Sequence, residues 1–238
     1  MTADIIALAT QYGRYGYRRI TVLLQRSGWA VGIKRVHRIW RREGLKVPHK
    51  QPKRGRLWLN DGSCIRLRPE HPNHVWSYDF VEDRTHNGRK YRMLNIIDEF
   101  TRECLAIEVD RTIDADHVVA VLDRLAAERG GTPVYVRMDN GPELASHAIA
   151  DWCRFTGTSS VFIDPGSPWQ NAWIESFNGK FRDELLNGWQ FDSLLEARVI
   201  IEDWRIDYNW NRPHTAHGDL TPSEFAAQWT TINQPQAA

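Results

Sequence analysis

The sequence predicts an α/β domain preceded by a small all-α module, and three observations carry that prediction. Charge is divided along the chain. Residues 1–56 hold 14 Lys+Arg against 2 Asp+Glu, a net of +12, and residues 57–238 hold 17 against 28, a net of −11. The overall charge of +1 therefore hides a basic module joined to an acidic body. Apolar residues near the start recur at helical spacing, whereas from Val75 onward strand-like runs alternate with helical stretches. A stretch rich in Pro and basic residues separates the two patterns. The segments read as a basic module over 1–46, a linker over 47–74 and an α/β core with C-terminal helices over 75–230. A length of 238 residues suits one medium domain plus a small one, and a hydrophobic fraction of 42% suffices for a real core.

The basic module reads as three helices. Residues 4–12 form a short one, and Tyr15 to Ser27 a second with Ile20, Leu23 and Leu24 apolar. Gly28 supplies a turn. The third runs from Gly32 to Arg42, with Ile33, Val36, Ile39 and Trp40 on one face and Lys34, Arg35, Arg38, Arg41 and Arg42 on the rest. Two helices joined by a Gly-containing turn, the second strongly basic, fit a helix-turn-helix that contacts DNA, the alternative being a basic helical pair that packs on the body without reading bases. A basic tail would not show this apolar periodicity. In the linker, Lys50, Lys53, Arg54 and Arg56 fit either phosphate tracking or a solvated tether.

In the core, strands are expected at 75–82, 90–97 and 102–109, the first pair joined at Asn87-Gly88 as a hairpin. Asp114 caps a helix over 115–129, with Val118, Val119, Leu122 and Leu125 inward and Gly130-Gly131 stopping it. A strand at 133–138 leads to Asp139. Pro142 opens a helix to about Phe155, and a strand follows at 159–163. Asp164–Gln170, with Pro165, Gly166 and Pro168, is a loop, and helices at 171–187 and 192–210 follow. Cys64, Cys104 and Cys153 are widely spaced with no Cys-x-x-Cys, which argues against structural zinc and for reduced thiols. No run of 18 apolar residues or signal peptide is apparent, so no membrane role is expected.

Three carboxylates stand out by position. Asp79 lies within the strand-like run His74–Val81, Asp139 ends another, and Glu175 lies in the first turns of a helical stretch. Taken singly, each is an ordinary surface group, and Asp139-Asn140-Gly141 an ordinary turn. Together, acids at strand ends and on a helix can converge on divalent metals. Two such ions stabilise the attacking and leaving oxygens of an in-line phosphoryl displacement. Three converging carboxylates repel one another until a cation neutralises them, and oxygen ligands suit Mg²⁺ or Mn²⁺. This chemistry points to a nuclease or strand-transfer enzyme. Asn171, Glu175, Asn178 and Arg182 share one face of their helix, with Trp173, Phe177 and Leu185 elsewhere. Polar groups beside the acids, namely Asn140, Gln170, Asn171, Asn178, Lys180 and Arg182, are candidates for fixing the DNA backbone. Lys180 lies about 140° around the helix from Glu175 and belongs at the rim of such a cleft. No Gly-x-Ser-x-Gly is present, so Ser77 is read as structural.

Trp76-Ser77-Tyr78-Asp79, Asp139-Asn140-Gly141-Pro142-Glu143 and Pro168–Gly179 resemble the DDE integrase-type transposases of bacterial insertion sequences. The nearest likeness is to the second-reading-frame (OrfB) proteins, whose core is related to retroviral integrases. Arg14–Ile20 and Tyr208–His214 extend the resemblance over nearly the whole chain, and the 35 residues between Asp139 and Glu175 sharpen it. The resemblance implies a ribonuclease-H-like fold with Asp79, Asp139 and Glu175 as catalytic residues. It implies that Asp79 bridges two Mg²⁺ ions, with Mn²⁺ as a substitute, and that Asp139 and Glu175 each complete one site. One ion activates water for nicking or a DNA 3′-hydroxyl for transfer, and the other steadies the leaving oxygen. It further implies DNA partners (element ends and target), self-association into a dimer or larger synaptic complex, more residues upstream, an upstream-frame (OrfA) partner, and action at the nucleoid in a bacterial cytoplasm. His217 departs from the aliphatic residue more common at its position in the family, which bears on packing and not on chemistry. Two other readings are a different ribonuclease-H-like nuclease, disfavoured by the spacing, and a domesticated DNA-binding regulator, which would be expected to have lost an acid.

Overall fold

The structure is a computed structural model that describes residues 1–48, 67–138, 147–163 and 171–233. It divides into two compact units: Met1–Ser63 with Pro213–Leu220, and Cys64–Arg212 with Thr221–Ala238.

In the first unit, α1 (Thr2–Gln11), α2 (Tyr17–Arg26) and α3 (Ile33–Arg42) enclose a core of Ile5, Tyr15, Ile20, Leu24, Val36 and Trp40. Gly28, at φ 89°, makes the turn after α2 in a backbone region that disfavours side chains. The expected apolar face of α3 holds for Val36, Ile39 and Trp40. Ile33 is the exception at 44% exposed, because it stands at the first helical position, beyond the reach of the core. The segment 213–220 joins this unit, and the Arg26 guanidinium donates to the Asp219 carbonyl at 3.0 Å.

The second unit is built on a five-stranded sheet in the order β3-β2-β1-β4-β5. Its strands are β1 (Val75–Arg84), β2 (Lys90–Asp98), β3 (Cys104–Asp110), β4 (Tyr135–Met138) and β5 (Ser159–Phe162). The first three are antiparallel, and β4 and β5 run parallel to β1. Gly88, at φ 77°, turns the β1–β2 hairpin. The third strand begins later than the expected 102. Asp98 accepts the Phe100 and Thr101 N–H groups at 2.7 and 3.1 Å and Arg102 adopts φ 63°, which keeps these residues in a tight turn.

Alternation along the strands builds two layers. Trp76, Tyr78, Leu94, Ile96 and Val136 pack against α4 (Ala115–Arg129) and α5, described over His147–Thr156. Asp114 caps α4 by accepting the His117 N–H at 2.9 Å, and Gly130, at φ 72°, ends it. On α4, Val121 turns fully inward while Val119 is only partly buried. The opposite sheet face, with Val81, Met93 and Ile97, packs against α6 (Ala172–Glu184) and α7 (Leu194–Trp210). α8 (Pro222–Asn233) follows, entered through a reciprocal cap. The Thr221 N–H donates to Glu224 at 2.8 Å, and the Glu224 N–H donates to the Thr221 hydroxyl at 3.2 Å.

β3 lies at the end of the sheet, and α7 covers it through polar contacts. Asn209 accepts the Cys104 N–H and donates to the Cys104 carbonyl, both at 2.8 Å. Arg198 donates to the Val109 carbonyl at 2.8 Å and Arg205 to that of Cys104 at 3.0 Å. These bonds occupy backbone groups that an open edge would offer to another chain. Cys104 and Cys153 are buried free thiols, both pushed upward in pKa by burial. Cys64 lies outside the described residues.

Candidate active site

Asp79 sits half-buried on β1, on the sheet face covered by α6 and α7, opposite Asn95 of β2. Its carboxylate is held on both oxygens. Oδ1 accepts the Phe80 N–H at 2.8 Å, and Oδ2 accepts from the side-chain amide of Asn178 at 2.8 Å. Asn178, 7% exposed, in turn accepts at its Oδ1 from the Asn95 amide at 2.7 Å. A line of two amides thus ties β2 and α6 to the Asp79 carboxylate.

Glu175 precedes Asn178 by three residues, so the two share one face of α6. The bond from Asn178 to Asp79 therefore aligns the Glu175 side of the helix with β1. Glu175 itself is exposed. Aromatic packing fixes the back of this helix. Phe177 meets Tyr208 edge-on at 5.1 Å between ring centroids, and Phe181 meets Trp204 at 4.9 Å. At its end, the buried Arg212 grips Glu184 through both Nε, at 3.1 Å, and Nη2, and also lies over the Tyr208 ring. Trp173, near its start, carries the Arg102 guanidinium 3.2 Å from the ring centroid.

Asp139, Asn140 and Gln170 lie outside the described residues, as do Lys50, Lys53, Arg54, Arg56, the Pro142 helix start and the loop 164–170. The strand before Asp139 is described: β4 runs beside β1 with Ser77 level with Arg137, and the Tyr78 hydroxyl donates to Met138 Sδ at 3.3 Å. Ser77 and Arg137 form a buried polar cluster on the Asp79 side of the sheet. Arg137 Nη1 reaches both Glu99 carboxylate oxygens, at 2.5 and 2.6 Å, Ser77 Oγ donates to the same carboxylate, and Arg137 Nη2 donates to the Leu67 carbonyl at 2.9 Å. Ser77 is structural here, as expected.

Among the described residues, no group of three His, Cys, Asp or Glu side chains is placed to hold a metal ion. Asp79 and Glu175 belong to an expected trio whose third acid is Asp139. Their donor chemistry fits a hard cation, since carboxylate oxygens are the ligands that Mg²⁺ and Mn²⁺ prefer, and the Phe80 N–H and the Asn178 amide hold the Asp79 carboxylate in place.

The other side chains expected at DNA divide by burial. Lys34, Arg35, Arg38, Arg41 and Arg42 are all exposed on α3, and Arg38 lines two open clefts on that surface. Arg182 is exposed and Lys180 half-buried. Asn171 and Asn178, expected to face DNA, are instead buried at 5% and 7% exposure. Asn178 is turned to the sheet, where it bonds Asn95 and Asp79, and Asn171 is buried at the N-cap of α6. Sequence reasoning passed over Asn95, although a lone amide inside Met93-Leu94-Asn95-Ile96-Ile97 is a visible break in an apolar run.

Comparison with known proteins places these features in a family. The integrase core domain family matches residues 69–168 and, through a second description of the same name, residues 156–222; an HTH-like domain matches residues 1–53. The 31.7 kDa protein of insertion element IS407 from Burkholderia multivorans is 43% identical across all of this chain and 84% of its own length. The 39.2 kDa protein of IS476 from Xanthomonas euvesicatoria is 42% identical over 97% of this chain and 66% of its own. Among solved structures, the HTLV-2 integrase catalytic core domain, solved in complex with magnesium, aligns with TM-score 0.54 at 18% identity, over 67% of this chain and 99% of that one. That likeness establishes a retroviral-integrase, ribonuclease-H-like fold for the core. No helix among the described residues is long and apolar enough to cross a membrane. An HTH-like module, an integrase core and a relative from an insertion element that matches along the whole of this chain converge on one conclusion: the chain belongs to the integrase-core transposases of insertion elements.

Proposed function

We propose that Asp79, Asp139 and Glu175 form the catalytic and metal-binding centre of this transposase, holding two Mg²⁺ ions or Mn²⁺ in their place. The observation that carries the reading is the Asn178–Asp79 bond, which brings the Glu175 face of α6 onto β1. Asp139 follows Met138 at the end of the neighbouring strand. When bound, the ions offset the repulsion among the carboxylates and stabilise attacking and leaving oxygens.

The reaction is two in-line displacements at phosphorus. In nicking, a water oxygen bonds to phosphorus as the bond to the element's 3′ oxygen breaks, and that oxygen leaves as a hydroxyl. In joining, the freed 3′ oxygen bonds to a target phosphorus and displaces the target's own 3′ oxygen. Each step breaks one P–O bond and forms one, so no covalent enzyme intermediate is needed. The chain's part is to hold the acids in register and orient the DNA. Lys34, Arg35, Arg38, Arg41 and Arg42 on α3 engage the element end, while Asn140, Gln170, Lys180 and Arg182 border the acids. The module over 1–46, linker over 47–74 and core over 75–230 divide these tasks. Synapsis of two ends calls for self-association, and an upstream-frame (OrfA) partner would add end recognition. The setting is the bacterial cytoplasm, at the nucleoid.

A labelled duplex carrying an element end, incubated with the full chain, target DNA and Mg²⁺, tests the reading. Nicked and joined products are expected from the wild type and none from Asp79→Asn, Asp139→Asn or Glu175→Gln. Near-wild-type product from any one variant removes that residue from the centre.

A further inference from the structure

We infer that Asn95 is a positioning residue for the metal centre, acting through Asn178. The inference rests on the reading of Asp79 as a metal ligand. Asn95 is fully buried in β2, directly opposite Asp79 in the antiparallel register. Its amide nitrogen donates to Asn178 Oδ1 at 2.7 Å, and its own Oδ1 has no hydrogen-bond partner among the described residues. A buried amide that satisfies only its donor side is costly, which points to a task for that donor.

The task follows from the two ends of the Asn178 amide. Asp79 is an acceptor, so Asn178 must turn its NH₂ toward it, at 2.8 Å. That orientation sends the Asn178 carbonyl into the interior, where Asn95 supplies its donor. Without Asn95, the carbonyl is left unpaired in the orientation that serves Asp79. The amide is then released to rotate, and a rotated amide would set its oxygen against the Asp79 carboxylate. Asn95 thus keeps the NH₂ of Asn178 on Asp79 and holds the carboxylate for the cation. Supporting groups of this kind typically change metal affinity about 10–100-fold when removed.

The test is Mn²⁺ binding to the full chain by calorimetry, in a cycle of Asn95→Leu, Asn178→Ala and the double variant, with Asp79→Asn as reference. Asn95→Leu removes the donor while keeping a branched side chain of similar shape. It is expected to weaken Mn²⁺ binding about tenfold in the wild-type background and to cause no further loss once Asn178 is already Ala. An equal loss in both backgrounds, or no loss in the wild type, overturns the inference. Undiminished Mn²⁺ binding by Asp79→Asn would instead overturn the underlying reading of the metal centre. Should Asn95→Leu fail to fold, Asn95→Ala takes its place in the cycle. The unaltered protein supplies an independent check: both side-chain amides should show slow hydrogen exchange by NMR, and fast exchange at Asn178 contradicts the inference.

Discussion

Replacing Arg137 with Met should destabilise the core by about 3–5 kcal/mol, the cost of breaking a buried ion pair by removing one partner. The structure sets this magnitude. Arg137 is 1% exposed and Glu99 is fully buried, so neither charge has water to turn to. Arg137 Nη1 donates to both Glu99 oxygens, at 2.5 and 2.6 Å, and Met removes both of these charge-assisted bonds while the Ser77 hydroxyl still faces the carboxylate. The bond from Arg137 to the Leu67 carbonyl disappears as well. For a chain of this size, the loss corresponds to a fall in Tm of about 10 °C. Thermal and urea unfolding of the full chain, followed through core tryptophan fluorescence, gives the measurement. The double variant Arg137→Met with Glu99→Met removes both charges and should recover most of the loss. A single variant within about 1 kcal/mol of wild type, or a double variant less stable than the single, would refute the reasoning.

Arg212→Met should cost about 3 kcal/mol by breaking its buried ion pair with Glu184, with hydrogen exchange accelerated through the second half of α6; unchanged protection there would show that Arg212 does not fasten the helix. Changing Arg35 and Arg38 together to Ala should lower the slope of log K against log salt for DNA binding by roughly 2, at ~0.9 per phosphate contact, and an unchanged slope would remove this face of α3 from the interface. His74 should titrate below its ordinary value of 6.5, mainly because of burial and then because of His71, with Glu70 opposing. The unfolded chain then binds the proton more tightly than the folded one, so the stability linked to His74 is present above 6.5 and is lost as pH falls through the folded value. An NMR titration giving His74 a value above 6.5 would contradict this.

The elements legible in the sequence are those specified by local chemistry. The alternation of Trp76 and Tyr78 against Ser77 and Asp79 shows in β1 because one side packs on α4 and α5 while the other faces α6 and α7. Asp114 and Gly130 bound α4 because capping acts within a single turn. α8 had an equally local signal in Thr221-Pro222-Ser223-Glu224, whose reciprocal cap the structure displays. What stayed hidden depends on partners distant in sequence. Nothing beside Arg137 announces Glu99, 38 positions away, and nothing beside Arg212 announces Glu184. Asn178 reads as a polar helix-face residue until β1 and β2 are set against it, 99 and 83 positions away. Of the proposed acids, Asp79 and Glu175 stand out in the sequence only by the words and spacing around them. Helical periodicity placed Glu175 beside Asn178, but only the tertiary contact ties that face to Asp79.

Anomalous diffraction from crystals of the full chain grown with Mn²⁺ and an element-end duplex tests the central claim most directly. The account predicts manganese density in contact with the carboxylates of Asp79, Asp139 and Glu175, with Asp79 shared between two ions and still bonded to the Asn178 amide. Manganese bound elsewhere, or bound without one of the three acids, would contradict it.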